Sequence, residues 1–419
     1  MIIKRERSPL AIILLAVLLV VIACVSLTFG QIDVPVGKAL AVIGSQMNLP
    51  GFTEADYTRE QLAVIWYIRL PRMLVGVLVG AALGISGAVM QGIFSNPLAD
   101  PGLIGISSGA ATGAVLSIAL GAASGSMFAM PAFAFCGSIC AVCLTVFLAM
   151  RNGKIPVMTL LLAGVAVGML LGAITSGLLT FMNEQKLQQY LFWMVGGLDY
   201  RRWEHVYLAM GPVLCGIVIM CMLARHLNIL VLGETEAKAV GMPVTAFRMG
   251  LLFVAAMTTA TSVCVSGNIG FVGLVIPHMM RMLIGPDHRV LLPASALGGA
   301  AFLVFCDSLG RIIMPPAEVR VGIMTAFLGI RRMGMMQQTM EKLQQEGKLD
   351  NACTCRWITD ATVWEDKWHK ELAGSKLVLM KWMGTGLDTP FLQRCVSLLK
   401  QLRLPFYIDA AGSKEGELA

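Results

Sequence analysis

Residues whose types could support chemistry are few in this chain, and their spacing does not assemble them. His278 follows Pro277 inside an apolar run, and no second His, Cys or carboxylate stands three or four positions away to share a metal or a proton. Asp307 is the one carboxylate of the last long apolar region, near its end, where it can reach water. Cys353-x-Cys355 with His369 is half a metal set, short of two ligands. Arg69-Leu70-Pro71-Arg72 places two cations at a helix start, where they can snorkel toward water or offer charge to a partner. No catalytic residue, metal site or cofactor follows from these residues.

The stretches that carry pattern are positional. Ser266 to Arg281 reads Ser-Gly-Asn-Ile-Gly-Phe-Val-Gly-Leu-Val-Ile-Pro-His-Met-Met-Arg, inside a run of 32 residues, Met249 to Met280, without Asp, Glu, Lys or Arg. One straight span needs only about 20 such residues. The interruptions at Gly267, Gly270, Gly273 and Pro277 therefore predict two packed spans meeting at a turn, since small residues let helix backbones approach closely in lipid. Asn96-Pro97-Leu98-Ala99-Asp100-Pro101-Gly102, after Gln91-Gly92, predicts a tight re-entrant turn. A phosphate loop is excluded there, because Gly-Lys-Ser/Thr is missing and no soluble strand precedes. Leu227 to Gly241 has helical spacing, charges at Glu234, Glu236 and Lys238, and a stop at Gly241-Met242-Pro243. By itself it reads as a solvated amphipathic loop.

The elements that must hold these stretches are membrane helices. Of 419 residues, 57% are hydrophobic and 14% charged, and 44 are glycine, a composition of polytopic membrane bundles. A net charge of +7 would suggest nucleic acid in a soluble protein, but the basic residues lie in short loops between apolar runs, so topology accounts for them and no nucleic-acid partner is expected. Of 11 cysteines, Cys24, Cys136, Cys140, Cys143, Cys215, Cys221, Cys264 and Cys306 lie in apolar segments as small packing residues, and no disulfide framework is implied. Charge-free runs place spans at Ser8–Ile32, Met73–Ala99, Pro101–Met150 (two), Ile155–Asn183, Val206–Ala224, Met249–Met280 (two) and Val290–Cys306, about nine crossings. The first is read as uncleaved, a signal peptide being the alternative. Lys4, Arg5, Arg7, Arg151, Lys154, Arg225, Lys238, Arg248, Arg281 and Arg289 then fall on one side, the cytoplasmic one, with the N-terminus; Arg201 and Arg202 break the pattern. The loop Asp33 to Ile68 is placed outside.

Gly-x-Ile-Gly-Phe-Val-Gly-Leu-x-x-Pro-His-x-x-Arg, with the Gln-Gly, Asn-Pro-Leu-Ala-x-Pro and Gly-Ala series, resembles the FecCD family, the permeases of ABC importers for iron-siderophores, haem and vitamin B12. The likeness spans about Ala11 to Gly329. It implies an all-α polytopic bundle of nine to ten transmembrane helices in the inner membrane, working as a homodimer with ABC ATPase subunits and a periplasmic or lipoprotein substrate-binding protein. The permease itself would be no enzyme. The resemblance marks Asn96, Pro97, Gly267, Gly270, Phe271, Gly273, Pro277, His278 and Arg281 as family motif. It makes Gly233, Glu234, Ala237 and Gly241 the element that docks into the ATPase, and Arg69, Arg72 and Arg311 the surface that receives acidic residues of the binding protein.

One departure stands near residue 320. The family continues Pro-x-Glu-Leu-Pro-Val-Gly and completes a tenth helix, whereas this chain has Pro316-Ala317-Glu318-Val319-Arg320-Val321-Gly322, and only ten residues, Val321 to Ile330, precede Arg331 and Arg332. Half a crossing is available. From residue 331 onward 24 of 89 residues are charged, against 33 of 330 before, so residues 1–330 are read as the permease domain and 331–419 as a small soluble α/β-like tail, a fusion or frame-altered fragment. Strands are expected at Lys376–Lys381 and Pro405–Asp409 around a helix at Leu392–Leu402, a βαβ order. Ser375 to Ala411 distantly resembles the start of a cobaltochelatase-like large subunit. Rival readings are an ion-coupled secondary carrier, which would need a mid-membrane carboxylate or carboxylate-His relay, and a membrane-anchored chelatase fragment.

Overall fold

The computed structural model describes residues 8–30, 32–53, 56–151, 155–314, 317–329, 378–382 and 406–410. Two compact units divide the chain, Met1–Arg332 and Met333–Ala419.

Each charge-free run of the first unit forms helix. The long apolar ones are α1 (Ser8–Thr28), α4 (Leu70–Ile93), α7 (Ala129–Ala149), α8 (Val157–Thr180), α10 (Trp203–Met222), α13 (Val244–Ser266) and α15 (His288–Ile313). With Arg59–Ile93 counted as one continuous helix, seven helices among the described residues are long and apolar enough to cross a membrane. Two shorter apolar helices, α5 (Ile106–Ala119) and α14 (Val272–Ile284), stand at the other two expected spans. At 1.5 Å per residue, 14 and 13 residues reach only about 20 Å, short of a hydrocarbon core of roughly 30 Å. Both are extended by irregular backbone, the turn 94–105 before α5 and the loop 267–271 before α14, whose Phe94, Ala99, Ile104, Gly267 and Ile269 are buried while residues 95–98, Leu103 and Gly270 are exposed. Such backbone is tolerated at depth only where protein covers it.

The remaining helices lie in the loops. They are α2 (Val36–Gln46), α3 (Arg59–Leu62), α6 (Ala122–Gly125), α9 (Glu184–Val195), α11 (Ala224–Val231) and α12 (Glu234–Ala239), with residues 321–329 forming α16. Asp33 to Ile68, read from sequence as a loop, holds α2 and α3, and α3 runs through a π-helical turn, Ala63–Arg69, straight into α4. That turn is fastened by Trp203, whose indole N–H donates to the Trp66 carbonyl at 2.9 Å while the two rings lie 4.9 Å apart.

α4 is the axis of the unit: 89% of its apolar window is buried, against 17% for α8 and 11% for α1. Around it pack α15, α13, α10 and α14, while α5, α7 and α8 form a second group. The α4–α15 seam is made by removing side chains. A Cβ at Gly80 would run into the backbone of Gly299 and Ala300, and one at Gly84 into the carbonyl of Ser295. With no solvent contrast between lipid tail and Leu, such backbone-to-backbone packing is what holds membrane helices together.

In the second unit, β1 (Val378–Trp382) and β2 (Phe406–Ala410) pair in parallel, Val378 opposite Phe406. The helix expected between them at Leu392–Leu402 lies outside the described residues, as do Lys4, Arg5, Arg7, Lys154, Cys353, Cys355 and His369.

Candidate functional site

The Glu234 end of the bundle is built from α11, α12 and the start of α13. Gly233 precedes α12 with φ +126°, a backbone angle that only glycine adopts freely, and Gly241 ends it at φ +78° with its N–H on the Lys238 carbonyl. Ala237 is fully buried and seats the helix, while Leu232 and Val240 project from its two ends at 71% and 67% exposure. Glu234 accepts from Lys238 Nζ at 2.7 Å and faces Arg248 at 3.6 Å. The Lys238 bond, then the Lys238 and Arg248 charges, hold its carboxyl below the usual range. Arg248 is itself buried and donates to the Ile155 carbonyl at 2.9 Å, so α12 is tied through α13 to the chain entering α8. A second tie runs from α11: Asn228 bonds Asp287 and His288 at the N-terminus of α15. Neither Asn228 nor Arg248 was singled out from sequence as an anchor, because their partners lie 59 and 93 residues away.

The family-motif residues meet at the centre. α13 ends at Gly267 (φ +74°), and Phe271 enters α14 in the left-handed region at φ +69°, a strained angle for an aromatic residue. The break is confined to 267–271; Gly273 and Pro277, expected to interrupt, lie inside α14. Pro277 has no N–H to give the Gly273 carbonyl four residues back. That carbonyl points at Gly87 of α4, where a Cβ would have no room. Gln91 then bridges the two motif stretches, its amide N–H donating to Leu274 O at 3.0 Å and its Oε1 accepting from Arg281 at 2.9 Å. Asn96 closes an Asx turn over Pro97 by accepting from Leu98 N at 2.9 Å, and Asp100 caps the 3₁₀ turn Pro101–Ile104 by accepting from Gly102 N at 2.8 Å. His278 has a buried Nδ1 without a partner, and Gly270 faces open space. No group of three or more metal-ligating residues occurs among the described residues.

The opposite end corrects an expectation. Arg69, Arg72 and Arg311 do not form an exposed surface. Arg69 is 6% exposed and caps the last carbonyls of α1, donating to Leu27 O at 2.7 Å, Thr28 O at 3.0 Å and Ile32 O. Arg72 forks onto Asp307 at 2.8 and 3.0 Å, reaches Glu318 at 2.8 Å and pairs with Asp199 at 3.2 Å. Arg311 donates to Ser26 Oγ at 2.7 Å and faces Asp307 at 3.4 Å. Asp307, expected to reach water, is 3% exposed and lies between two guanidinium groups. Arg320, at the departure from the family pattern, donates to the Phe192 carbonyl at 2.6 Å, covers the Phe192 ring at 4.6 Å and pairs with Asp199 at 3.8 Å. Four arginines and three carboxylates thus knit α1, α4, α9, α15 and the approach to α16.

The cobalamin import system permease protein BtuC of Halobacterium salinarum is 40% identical over 357 residues, covering 78% of this chain and 95% of that protein. The hemin transport system permease protein HmuU of Yersinia pestis is 43% identical over 275 residues, 65% of this chain and 82% of that one. A solved metal-chelate type ABC transporter in an inward-facing conformation superposes with a TM-score of 0.67 at 32% identity, covering 78% of this chain and 98% of its own. The profile of the FecCD transport family matches residues 18–336, and the chain belongs to that family.

Proposed function

We propose that this chain is the membrane-spanning permease subunit of an ABC importer, passing a metal chelate of the iron-siderophore, haem or cobalamin type through the inner membrane. The observation that carries the mechanism is the double anchoring of the α11–α12 segment. An ATPase subunit seated on Leu232, Glu234 and Val240 would pull on α15 through Asn228 and on α13 and α8 through Arg248, so closure of the ATPase pair on ATP becomes a tilt of helices. The permease performs no bond chemistry. Hydrolysis belongs to the partner.

The Glu234 end is cytoplasmic in this reading, since Arg151, Arg225, Lys238 and Arg289 gather there. α8 faces a second copy of the chain: Met158, Leu162, Val165 and Met169 are exposed along it, and Gly172 and Gly177 leave open backbone that a partner helix can approach. A substrate-binding protein docks at the Arg72 end. For Arg69, Arg72 and Arg311 to receive its acidic residues they would have to exchange their internal partners. Residues 331–419 form a separate domain, a reading supported by the rise in charge and by the β1–β2 pair.

The test is uptake into proteoliposomes holding the full chain with its ATPase, supplied with its binding protein loaded in turn with cobalamin, haem or a ferric siderophore. Uptake of one class that needs both ATP and the binding protein is expected. Uptake driven by a pH gradient without ATP would overturn the assignment.

A further inference from the structure

Arg201, one of the two arginines that break the loop-charge pattern, sits in the wall of a cavity of about 130 Å³ at the Arg72 end. Lining it are Arg201, His205, Gln189 and Ser126 as polar groups, with Trp193 and Met130 among the apolar ones. The guanidinium has no ion-pair partner among the described residues. Its neighbour in sequence, Asp199, is spent on Arg72 at 3.2 Å and Arg320 at 3.8 Å. The Arg201 Nε is buried with no hydrogen-bond partner. Burial pulls the Arg201 pKa down; the charge of Asp199 works against this, and nearby Arg320 adds like charge.

The contact with His205 deepens the shortage of acceptors. Arg201 Nη1 stands 3.4 Å from His205 Nε2, while the Arg202 N–H points at His205 Nδ1 at 3.3 Å. A neutral imidazole has one acceptor nitrogen. If Nδ1 takes the Arg202 N–H, the ring proton sits on Nε2 and faces the guanidinium donor to donor; if Nε2 accepts from Arg201, the Arg202 N–H loses its acceptor. Either way donors outnumber acceptors around the half-buried guanidinium, an arrangement that costs stability unless an acceptor enters.

We propose that this cavity is a binding site for an oxyanion group, a carboxylate or a phosphate, held by Arg201 with His205 at its floor and Gln189 and Ser126 at its mouth. The planar fork of Arg201 suits such groups. The volume admits one anionic group and not a whole chelate, so the ligand is either a lipid headgroup phosphate or the anionic arm of a larger solute, with its apolar part against Trp193 and Met130.

The experiment uses the full chain in phosphatidylcholine nanodiscs, with inorganic phosphate and acetate as probes against chloride at matched ionic strength. Phosphate or acetate is expected to raise the unfolding temperature of the parent, and Arg201→Gln to abolish the rise. Gln189→Ala, which leaves the buried charge in place, is expected to weaken the apparent Kd about tenfold, as loss of a bond to a charged group does. Discs containing phosphatidylglycerol identify the source: loss of the phosphate response assigns the site to a lipid headgroup, and its persistence assigns it to a soluble anion. No rise over chloride in the parent, or equal rises in the parent and Arg201→Gln, overturns the proposal. Should Arg201→Gln fail to fold, an unchanged affinity in both Gln189→Ala and Ser126→Ala overturns it instead.

Discussion

Asn228 holds His288 with a single oxygen: its Oδ1 accepts from the His288 backbone N–H at 2.9 Å and from ring Nδ1 at 2.7 Å, while its amide nitrogen donates to Asp287 at 2.7 Å. The amide thus clasps both the cap and the first residue of α15. Asn228→Ala leaves a buried ring N–H without its acceptor and takes one bond from the capping carboxylate, which keeps the Arg289 N–H, a loss of about 1 to 3 kcal/mol. The expected outcome is a permease that still inserts and binds its ATPase but stimulates ATP hydrolysis and uptake poorly. Unchanged uptake per ATP in the variant would remove Asn228 from the transmission path.

Charge at α12 makes a separate prediction. Glu234→Arg puts a cation against Lys238 and Arg248, displaces the docking helix, and should abolish ATPase stimulation while the protein stays in the membrane. A carboxyl held below its ordinary value of 4.5 contributes stability above that value and loses it only as pH falls through the depressed one. The difference in unfolding temperature between parent and Glu234→Gln should therefore stay constant from neutral pH down to that value and vanish below it. A difference that shrinks already near pH 6 would contradict the pairing.

The Arg72 cluster changes what arginine replacement can show. Replacing Arg69, Arg72 and Arg311 by Glu would set two carboxylates against buried Asp307 and a third against the last carbonyls of α1, so misfolding would precede any effect on docking. The informative pair is Arg72→Gln alone and Arg72→Gln with Asp307→Asn. Breaking a buried ion pair from one side costs about 3 to 5 kcal/mol, and removing both charges returns much of it. Thermal unfolding in detergent reads both; equal losses in the single and double variants would argue against the pair as the cluster's centre.

At Gly87 the backbone leaves no tolerance. Gly87→Ala drives a methyl into the Gly273 carbonyl and should cost about 1 to 3 kcal/mol, as overpacking does. Gly250→Ala on α13, with nothing within 4 Å of its would-be Cβ, should be neutral or slightly stabilising by helix propensity. Equal unfolding temperatures for the two variants would contradict the seam.

Much of this architecture was legible in the chain because the charge-free runs became helices and Gly267, one of the four interruptions expected in Met249–Met280, marks the break between α13 and α14. Burial was not legible. Lipid-facing and core-facing residues are equally apolar, so α8 and α4 look alike in composition although one is 17% and the other 89% buried. Arg72 reads as a surface cation because its acceptor Asp307 stands 235 positions later, and no local pattern announces a partner at that distance. α9 escaped notice since its polar Glu184-Gln185-Lys186 start resembles a loop, while the Asn183 side chain caps it by accepting from Lys186 N. The Gly-Glu-x-x-Ala element was found from the resemblance, but the anchors that give it leverage belong to neighbouring helices.

The glycine seam between α4 and α15 has a further consequence for motion. Two helices separated by side chains can slide by small rotamer changes, whereas backbones locked at Gly80, Gly84 and Gly299 have no such adjustable layer. α4, α14 and α15 therefore travel as one block. Any switch between the two access states must then be taken up outside that block, and the place where the α5–α7–α8 group joins the rest of the unit is its contact with α13, which makes that contact the fault line of the transporter.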